Sequence, residues 1–423
     1  MRVRAPAVLS RALLCAAMLA TGTTARGVAQ STGSIPAITR DSAFSLALAH
    51  GSRAAIARAT ARSASARIRA AGALTNPLLI ASYSKSVPQY HANLDIPLDF
   101  FTLRRLRVAF ARSASEAAEL RFAFERAAIR LDVDTSYTIA AARRARAALS
   151  LRNAADAESL LTVASVRRSA GDASDLDVDV ASINAGRARN VAATDSAEAI
   201  TAILDLQQAL GLAVGAPMIA IADSLTVPAI ESAPLMDSAR PAATLRVAAA
   251  QRDMQSADQA LALEHRSLWS GLALQAGVEN HDPGGSEPGL LPTVGVSVPL
   301  PLFSQGQGAV AVAQAERDRA RVELAAAQRE SAALLAKARR NLAASSRRAA
   351  RDRELVETAN RVARRSLQAY AEGAYPLTTV LEAQRNARDT LSELIDDLVA
   401  ANAAAATLRL YSATLTTSET GTP

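Results

Sequence analysis

The side chains best placed to do something chemical lie in one short stretch. Arg167-Arg168-Ser169-Ala170-Gly171-Asp172-Ala173-Ser174-Asp175-Leu176-Asp177-Val178-Asp179 sets four carboxylates, Asp172, Asp175, Asp177 and Asp179, just after a glycine where one helical run stops and the next begins. Two readings fit. Asp172 or Ser174 can cap the new helix, and negative charge in its first turn complements the helix dipole. Alternatively, some of the aspartates point into an aqueous passage, where rings of acids from several chains would select cations or help hold a gate shut. No catalytic constellation accompanies them. His50, His91, His265 and His281 are far apart, without metal-ligand spacing, and read as surface or loop residues; Met218, Met236 and Met254 form no soft-metal cluster. Neither a phosphate loop nor a dinucleotide fingerprint is present. Arg143-Arg144-Ala145-Arg146 and Arg339-Arg340 lie in helical runs without interleaved aromatics, so they read as solvated helix faces. The expectation is a non-enzyme with no cofactor, no resident metal and no nucleic-acid partner.

The elements that hold the aspartates occur twice. Ile96-Pro97-Leu98 returns as Val298-Pro299-Leu300, Val108-Ala109 as Val310-Ala311, Gly171 as Gly373, and Asn184-Ala185 as Asn386-Ala387, all 202 positions on. Upstream, Ser52-Arg53-Ala54 matches Leu245-Arg246-Val247 at an offset of 193, so the second copy holds 9 extra residues, which fit best in the Gly/Pro-rich stretch His281 to Gly289. Each copy predicts the same order: a helix (41–73; 238–266), a hairpin (78–100; 271–302), a Pro-free helix of about 66 residues (104–169; 306–371), a glycine tip and a return helix (174–210; 376–412). At 1.5 Å per residue the long helix is roughly 100 Å, and the first and return helices match it only when laid end to end. The chain divides into 1–29, a first repeat 30–211, a connector 212–241 holding Pro217, Pro228, Pro234 and Pro241, a second repeat 242–412, and a tail 413–423.

Composition agrees with thin helical walls. Half of the 423 residues are hydrophobic but only 3% are aromatic, and the apolar half is mostly alanine. Alanine has high helix propensity and little area to bury, which suits close helix pairs and not a thick core. Residues 1–29 read as a secretory signal, with Arg2, Arg4 and Arg11 before the short apolar run Ala12 to Ala20 and small residues up to Ala29. Its removal takes four arginines and no acid, lowering the formal charge from +7 to +3, too little for a nucleic-acid reading. Cys15, the sole cysteine, leaves with it. After residue 29 no apolar stretch reaches the length of a transmembrane helix.

The hairpins alternate. Leu272, Leu274, Ala276 and Val278 alternate with polar or small residues, as do Val294, Val296, Val298 and Leu300, and Leu94, Ile96, Leu98 and Phe100. The segment 78–86 does not sort cleanly, and the first turn is expected near Pro88-Gln89-Tyr90-His91. A sheet packed on a helix would give such a pattern. So would transmembrane barrel strands of about 9–11 residues, and the equivalent placement in both copies favours these. Four strands cannot close a barrel, and open edges are not viable in lipid. Three chains would supply twelve strands. Aromatics for the membrane interfaces are few: Tyr83, Tyr90, Phe100, Phe101, Trp269 and Phe303.

These residues resemble the outer membrane efflux protein family, the TolC-like outer membrane factors, and especially the branch found with heavy-metal and multidrug exporters. Pro299-Leu300-Pro301-Leu302-Phe303-Ser304-Gln305-Gly306-Gln307-Gly308 is similar to the family's strand-to-helix junction, Asn76-Pro77-Leu78-Leu79 to its entry into the first strand, and Gly373, Leu377, Val380-Leu381 and Ala383-Gln384 to its tip and return helix. One departure is Phe101-Thr102-Leu103-Arg104-Arg105, which stands where that branch often has a Gly-Gly-basic turn. The resemblance implies a mostly α fold with a small membrane β part. Duplicated coiled-coil helices would form a trimeric α-barrel tunnel, and four strands per chain would join a shared 12-stranded transmembrane β-barrel. It also implies a homotrimer in outer membrane lipid of a Gram-negative-type bacterium, extending into the periplasm. There it would dock with a periplasmic adaptor protein and an inner-membrane pump as a passive export conduit. The tip residues Gly171, Ala173, Gly373, Ala374 and Tyr375 are the expected adaptor contacts, and Asp172, Asp175, Asp177 and Asp179 the expected gate. The alternative is a soluble periplasmic helical-hairpin adaptor or scaffold.

Overall fold

The computed structural model describes residues 37–86, 88–98, 103–213, 215–228, 244–267, 270–280 and 289–413. The expected signal (1–29), most of the loop after His281, the connector beyond 228, the start of the 238–266 helix, Phe100, Phe101, Trp269 and nearly all of the tail lie outside these residues. The elements run β1 (Ala37–Ile38), α1 (Arg40–His50), α2 (Ser52–Gly72), β2 (Leu78–Tyr83), β3 (Tyr90–Pro97), α3 (Leu103–Ser169), α4 (Asp175–Ala209), β4 (Ala220–Ile221), α5 (Leu245–Glu264), β5 (Ala273–Asn280), β6 (Leu291–Ser297), α6 (Gln307–Ala371) and α7 (Leu377–Ser412).

The long helices α3 and α6 are the axes of the molecule. With 67 and 65 residues they are each roughly 100 Å long. Beside α3, α2 covers the end near the sheet and α4 the far end, joined end to end. Arg104 Nε donates to Gly72 O at 2.7 Å at one end, and Arg143 pairs with Glu198 on α4 towards the other. On the other side of α3, α5 and α7 repeat this arrangement, and α6 lies beyond them. The layer is therefore one helix thick, in the order α2/α4, α3, α5/α7, α6. Its seams are alanine: α4 buries Ala181, Ala185, Ala192, Ala199 and Ala202 against α3. Small side chains let helix axes approach closely, which explains the poverty in aromatics.

One expected helix, 41–73, is two. Gly51 adopts an extended conformation (ψ 130°) between α1 and α2. The reason lies in the end of α4, where Gly211 (φ 72°) packs on the break; a Cβ there would stand 2.8 Å from His50 O. α1 thus bends inward to seal the joint between α2 and α4, capped by Thr39, whose hydroxyl accepts from Ser42 N. The seal is the largest apolar cluster, with Tyr137, Val133, Leu206, Leu210 and Ile221 at its centre. The connector also takes part. Ala37–Ile38 pairs in parallel with Ala220–Ile221, which the sequence did not signal. Tyr137 Oη donates to Ile38 O at 2.8 Å and accepts from Asp223 N at 3.1 Å. Burial raises the Tyr137 pKa, so it remains a neutral donor. Beside it the buried Asp134 accepts from Arg409 Nη2 at 2.7 Å, with Arg40 Nη1 at 3.9 Å. One carboxylate thereby ties α3 to α7 and α1.

At one end of the layer sits a four-stranded antiparallel sheet in the order β2-β3-β5-β6. The two hairpins meet through β3 and β5, with Leu94 opposite Ala276 and Ile96 opposite Leu274. The strands are 6 to 8 residues long, shorter than the expected 9–11. The alternation of β6 nevertheless runs on through the exposed Val298, Leu300 and Leu302. Pairing with β5 stops at Ser297, opposite Ala273, where β5 begins. β3 begins at Tyr90, so Tyr90 and His91 belong to the strand and not to the turn, which is closed by Ser84 N donating to Gln89 O.

Candidate functional site

The sheet is inside out by the standard of a soluble protein. On β5, Leu274, Ala276 and Val278 are exposed while Gln275, Gly277 and Glu279 are half-buried; on β6, Val294 (82% exposed) and Val296 (61%) point outward and Thr293, Gly295 and Ser297 inward. Among the described residues no helix packs along either face. An apolar face bare to its surroundings and a polar face turned inward is the pattern of a transmembrane barrel wall with an aqueous lumen. The polar face includes His91, whose Nδ1 stands 3.3 Å from Glu279 Oε1 across β3 and β5. Edge strand β2, which the sequence could not sort, exposes Leu78, Leu79, Ile80 and Tyr83. At the turn end the Tyr83 and Tyr90 rings pack at a tilt with centroids 5.3 Å apart, and at the helix end Phe303 is 99% exposed. These aromatics mark the two borders of the apolar band.

The other end of the layer carries the predicted tip residues. Each long helix stops in the same way. Gly171 (φ 85°) donates to Arg168 O and Asp172 N to Arg167 O; Gly373 (φ 81°) donates to Tyr370 O and Ala374 N to Ala369 O. This double bond pattern needs a left-handed residue at the glycine. The aspartates divide by role. Ser174 is the cap, accepting from Asp177 N, while Asp177 Oδ2 accepts from Ser174 N, both at 3.2 Å. Asp175 pairs with Arg168. Capping by Asp172 therefore does not occur, and Asp172 and Asp179 are exposed with no ion-pair partner among the described residues. Ala173 is half-buried, whereas Gly171, Gly373, Ala374 and Tyr375 are exposed.

Sequence reasoning missed what joins the two tips. Arg167 Nη1 donates to Tyr370 O at 2.8 Å, and the guanidinium lies 4.7 Å from the centroid of the Tyr370 ring. Tyr370 is 2% exposed. Burial and the charge of Asp177 raise its pKa against the opposing effect of Arg167. Leu160, Ala181, Leu377 and Val380 pack around the pair. Only the shared position of Arg167 and Ala369, 202 apart, hinted that these turns lie level. Just above, between the two helical hairpins, is a groove of about 700 Å³ lined by Asn153, Arg187, Arg364, Glu382 and Arg388 among others. Among the described residues no cluster of His, Asp and Glu could hold a metal ion, and no helix is long and apolar enough to cross a membrane.

No protein-family model matches the sequence, and a search of curated proteins gives no significant match. Solved structures do match. CusC aligns with a TM-score of 0.71 at 15% identity, over 89% of this chain and 92% of that one. VceC, an outer membrane protein of Vibrio cholerae, gives 0.68 at 16%, over 88% and 95%. The open-state MtrE outer membrane channel of Neisseria gonorrhoeae gives 0.68 at 13%, over 88% of each chain. The chain has the TolC-like outer membrane factor fold. In the TolC-like fold the inside-out sheet and the joined tips are opposite ends of one tube wall, and nearly the whole described chain belongs to it.

Proposed function

We propose that three copies close a shared 12-stranded barrel in an outer membrane and continue into the periplasm as a helical tunnel. The assembly is a passive export conduit, not an enzyme. The observation that carries this reading is the four-stranded sheet with a bare apolar face, a half-buried polar face and two free edges, set on a helical wall roughly 100 Å long. A soluble adaptor or scaffold would leave that apolar face in water. In this reading residues 1–29 are removed as an export signal, and the repeats 30–211 and 242–412, joined by 212–241, each supply one hairpin to the barrel. The tips face the periplasm, where Gly171, Ala173, Gly373, Ala374 and Tyr375 contact an adaptor protein that links the channel to an inner-membrane pump. Asp172 and Asp179, whose carboxylates form no ion pair among the described residues, and the engaged Asp175 and Asp177 ring the mouth.

Fractionation tests the core of this reading. The protein is expected with the outer membrane, running as a trimer on gels until heated; recovery as soluble periplasmic monomer overturns it. In planar bilayers the purified trimer conducts, and replacing Asp172 and Asp179 with Asn lowers cation selectivity. Unchanged selectivity removes these two from the gate.

A further inference from the structure

The part of the helical wall next to the sheet is charged on one repeat only. Residues 62–72 of α2 and 103–112 of α3 hold seven arginines and no acid. The matching stretches of the second repeat, 255–265 and 305–314, hold no arginine or lysine and two acids, Asp258 and Glu264. Both repeats pack these two helices side by side, so the packing itself does not call for the charge.

Four of the arginines share one exposed surface. Along α2 the buried and half-buried Ala54, Ala57, Ala61, Ala64, Ile68 and Ala71 alternate steps of three and four, which is a heptad seam against α3. Arg62 and Arg69, seven apart, stand on one flank of that seam, with Arg58 four residues before them. Opposite the seam α2 carries Ile56, Ser63 and Ala70, so these arginines lie neither in the wall nor on its free edge. Arg105 and Arg112, also seven apart, form one stripe of α3. Both stripes lead to α1. Arg58 Nη2 donates to Leu48 O at 3.5 Å, and Val133 and Ala140, 28 and 35 residues beyond Arg105, pack into the seal with Ala43 and Ala47 of α1. The two stripes therefore lie on one face of the layer. In a trimer it is the outer face, because three copies of α1 and of the β1–β4 pair on the inside would obstruct the tunnel. Arg62, Arg69, Arg105 and Arg112 are exposed, and none forms an ion pair among the described residues. Gly72 lies beside Arg104 and Val108, so the four fall in a band roughly 16 Å deep, which ends where the exposed Leu74 and Leu78 begin the apolar surface.

We propose that Arg62, Arg69, Arg105 and Arg112 bind the phosphate groups of anionic phospholipids in the periplasmic leaflet of the outer membrane. The proposal rests on the trimeric channel reading above and adds a lipid class to it. Position argues for lipid: the patch adjoins the apolar band, and headgroups begin where hydrocarbon ends. Arg69 and Arg105 stand within one turn of the helix ends and meet phosphates directly. Arg62 and Arg112 lie deeper, extend long side chains towards the membrane, and act over a screening length of about 8 Å. Arginine suits the task, since its planar fork pairs bidentately with phosphate and keeps its charge. One patch per chain gives three lipid sites around the tube, separated by second repeats that lack the charge.

Native mass spectrometry of the trimer, released from bilayers holding phosphatidylglycerol and phosphatidylcholine in equal amounts, tests it. The trimer is expected to retain phosphatidylglycerol several-fold over phosphatidylcholine. Arg62→Gln, Arg69→Gln, Arg105→Gln and Arg112→Gln together bring the ratio close to one. The first two alone, or the last two alone, lower it part-way, which keeps the test readable where the fourfold variant does not assemble. Arg340→Gln with Arg347→Gln, roughly 50 Å along α6 from its start, leaves the ratio unchanged. An equal ratio in the unaltered trimer overturns the lipid site and leaves the channel reading standing. Loss of bound phosphatidylglycerol on adding inorganic phosphate, but not chloride of the same ionic strength, assigns the patch to soluble phosphate and also overturns it. So does a fourfold variant with altered anion selectivity and an unaltered lipid ratio, which places the patch in the lumen. Soluble monomers throughout overturn both readings.

Discussion

At the scale of single residues, the most consequential side chain is one that does no transport chemistry. Asp134 is 1% exposed and answers Arg409 from 275 positions away, with Arg40 at its other side. Asp134→Ala leaves two arginines facing a void. Both reach water in part, so the cost falls below that of a fully buried pair, at about 1–3 kcal/mol. A lower dissociation temperature of the purified protein is the expected readout. Asp352 behaves in the opposite sense. Burial, and then the adjoining Asp397 carboxyl, raise its pKa, with Glu393 adding to the effect and Arg351 opposing it; Asp397 is itself held by Arg348 at 2.8 Å. A raised carboxyl favours the folded state when protonated, so its contribution is present at low pH and is lost as pH rises through the raised value. Asp352→Asn is therefore expected to stabilise the protein at neutral pH and to remove the fall in melting temperature as pH rises above the ordinary carboxylate range. A loss of stability at neutral pH would contradict this.

At the scale of elements, the turns and the strands make separate predictions. Gly171 and Gly373 hold φ values of 85° and 81°. A Cβ at Gly171 meets nothing within 4 Å, and one at Gly373 meets only Arg167 Nη2 at 3.6 Å. The cost of Ala at either position is thus backbone strain alone, about 1–2 kcal/mol, confined to the tip. Faster amide exchange in the flanking turns with an unchanged barrel would show it. The strands should tell their two faces apart. Val294→Arg, on the bare face, is expected to cost about 2–4 kcal/mol of membrane stability per chain and to leave protein unassembled in the periplasm. Gln275→Arg, on the inward face, should assemble normally. Equal effects of the two would mean that the faces are wrongly assigned. The alternation behind this was legible in Leu274, Val278, Val294 and Val296. Which face is bare was not, because a period of two is the same whether a helix or lipid covers the apolar side.

At the scale of the whole molecule, the layer is open, with two free sheet edges that the trimer proposed above would close. Thin helical packing and exposed sheet edges fit that trimer better than a lone chain. In the proposed trimer the contacts between charged helix faces are screened by salt, so raised ionic strength is expected to speed the exchange of subunits. The measurement is the rate of subunit exchange between differently tagged trimers at low and high ionic strength. The arrangement also explains why the long helices carry so many arginines: pairs such as Arg121 with Asp253 and Arg317 with Asp258 lie between helices, not on a surface offered to a polyanion.

What the sequence determined by itself is local or periodic. It set the length of α3 and α6 through Pro-free alanine-rich runs, the tips through Gly171 and Gly373, the hairpins through alternation, and the doubling through the 202-residue offset. Tertiary structure alone decided the rest. A lone Gly51 in a helical run did not announce a break; the docking of Gly211 on His50 made one. Arg167 reached Tyr370, Asp134 found Arg409, and Ala37–Ile38 found Ala220–Ile221 only when distant segments were brought side by side. A helix records its own repeat in nearest-neighbour spacing, but a contact between residues hundreds of positions apart leaves no period in the chain.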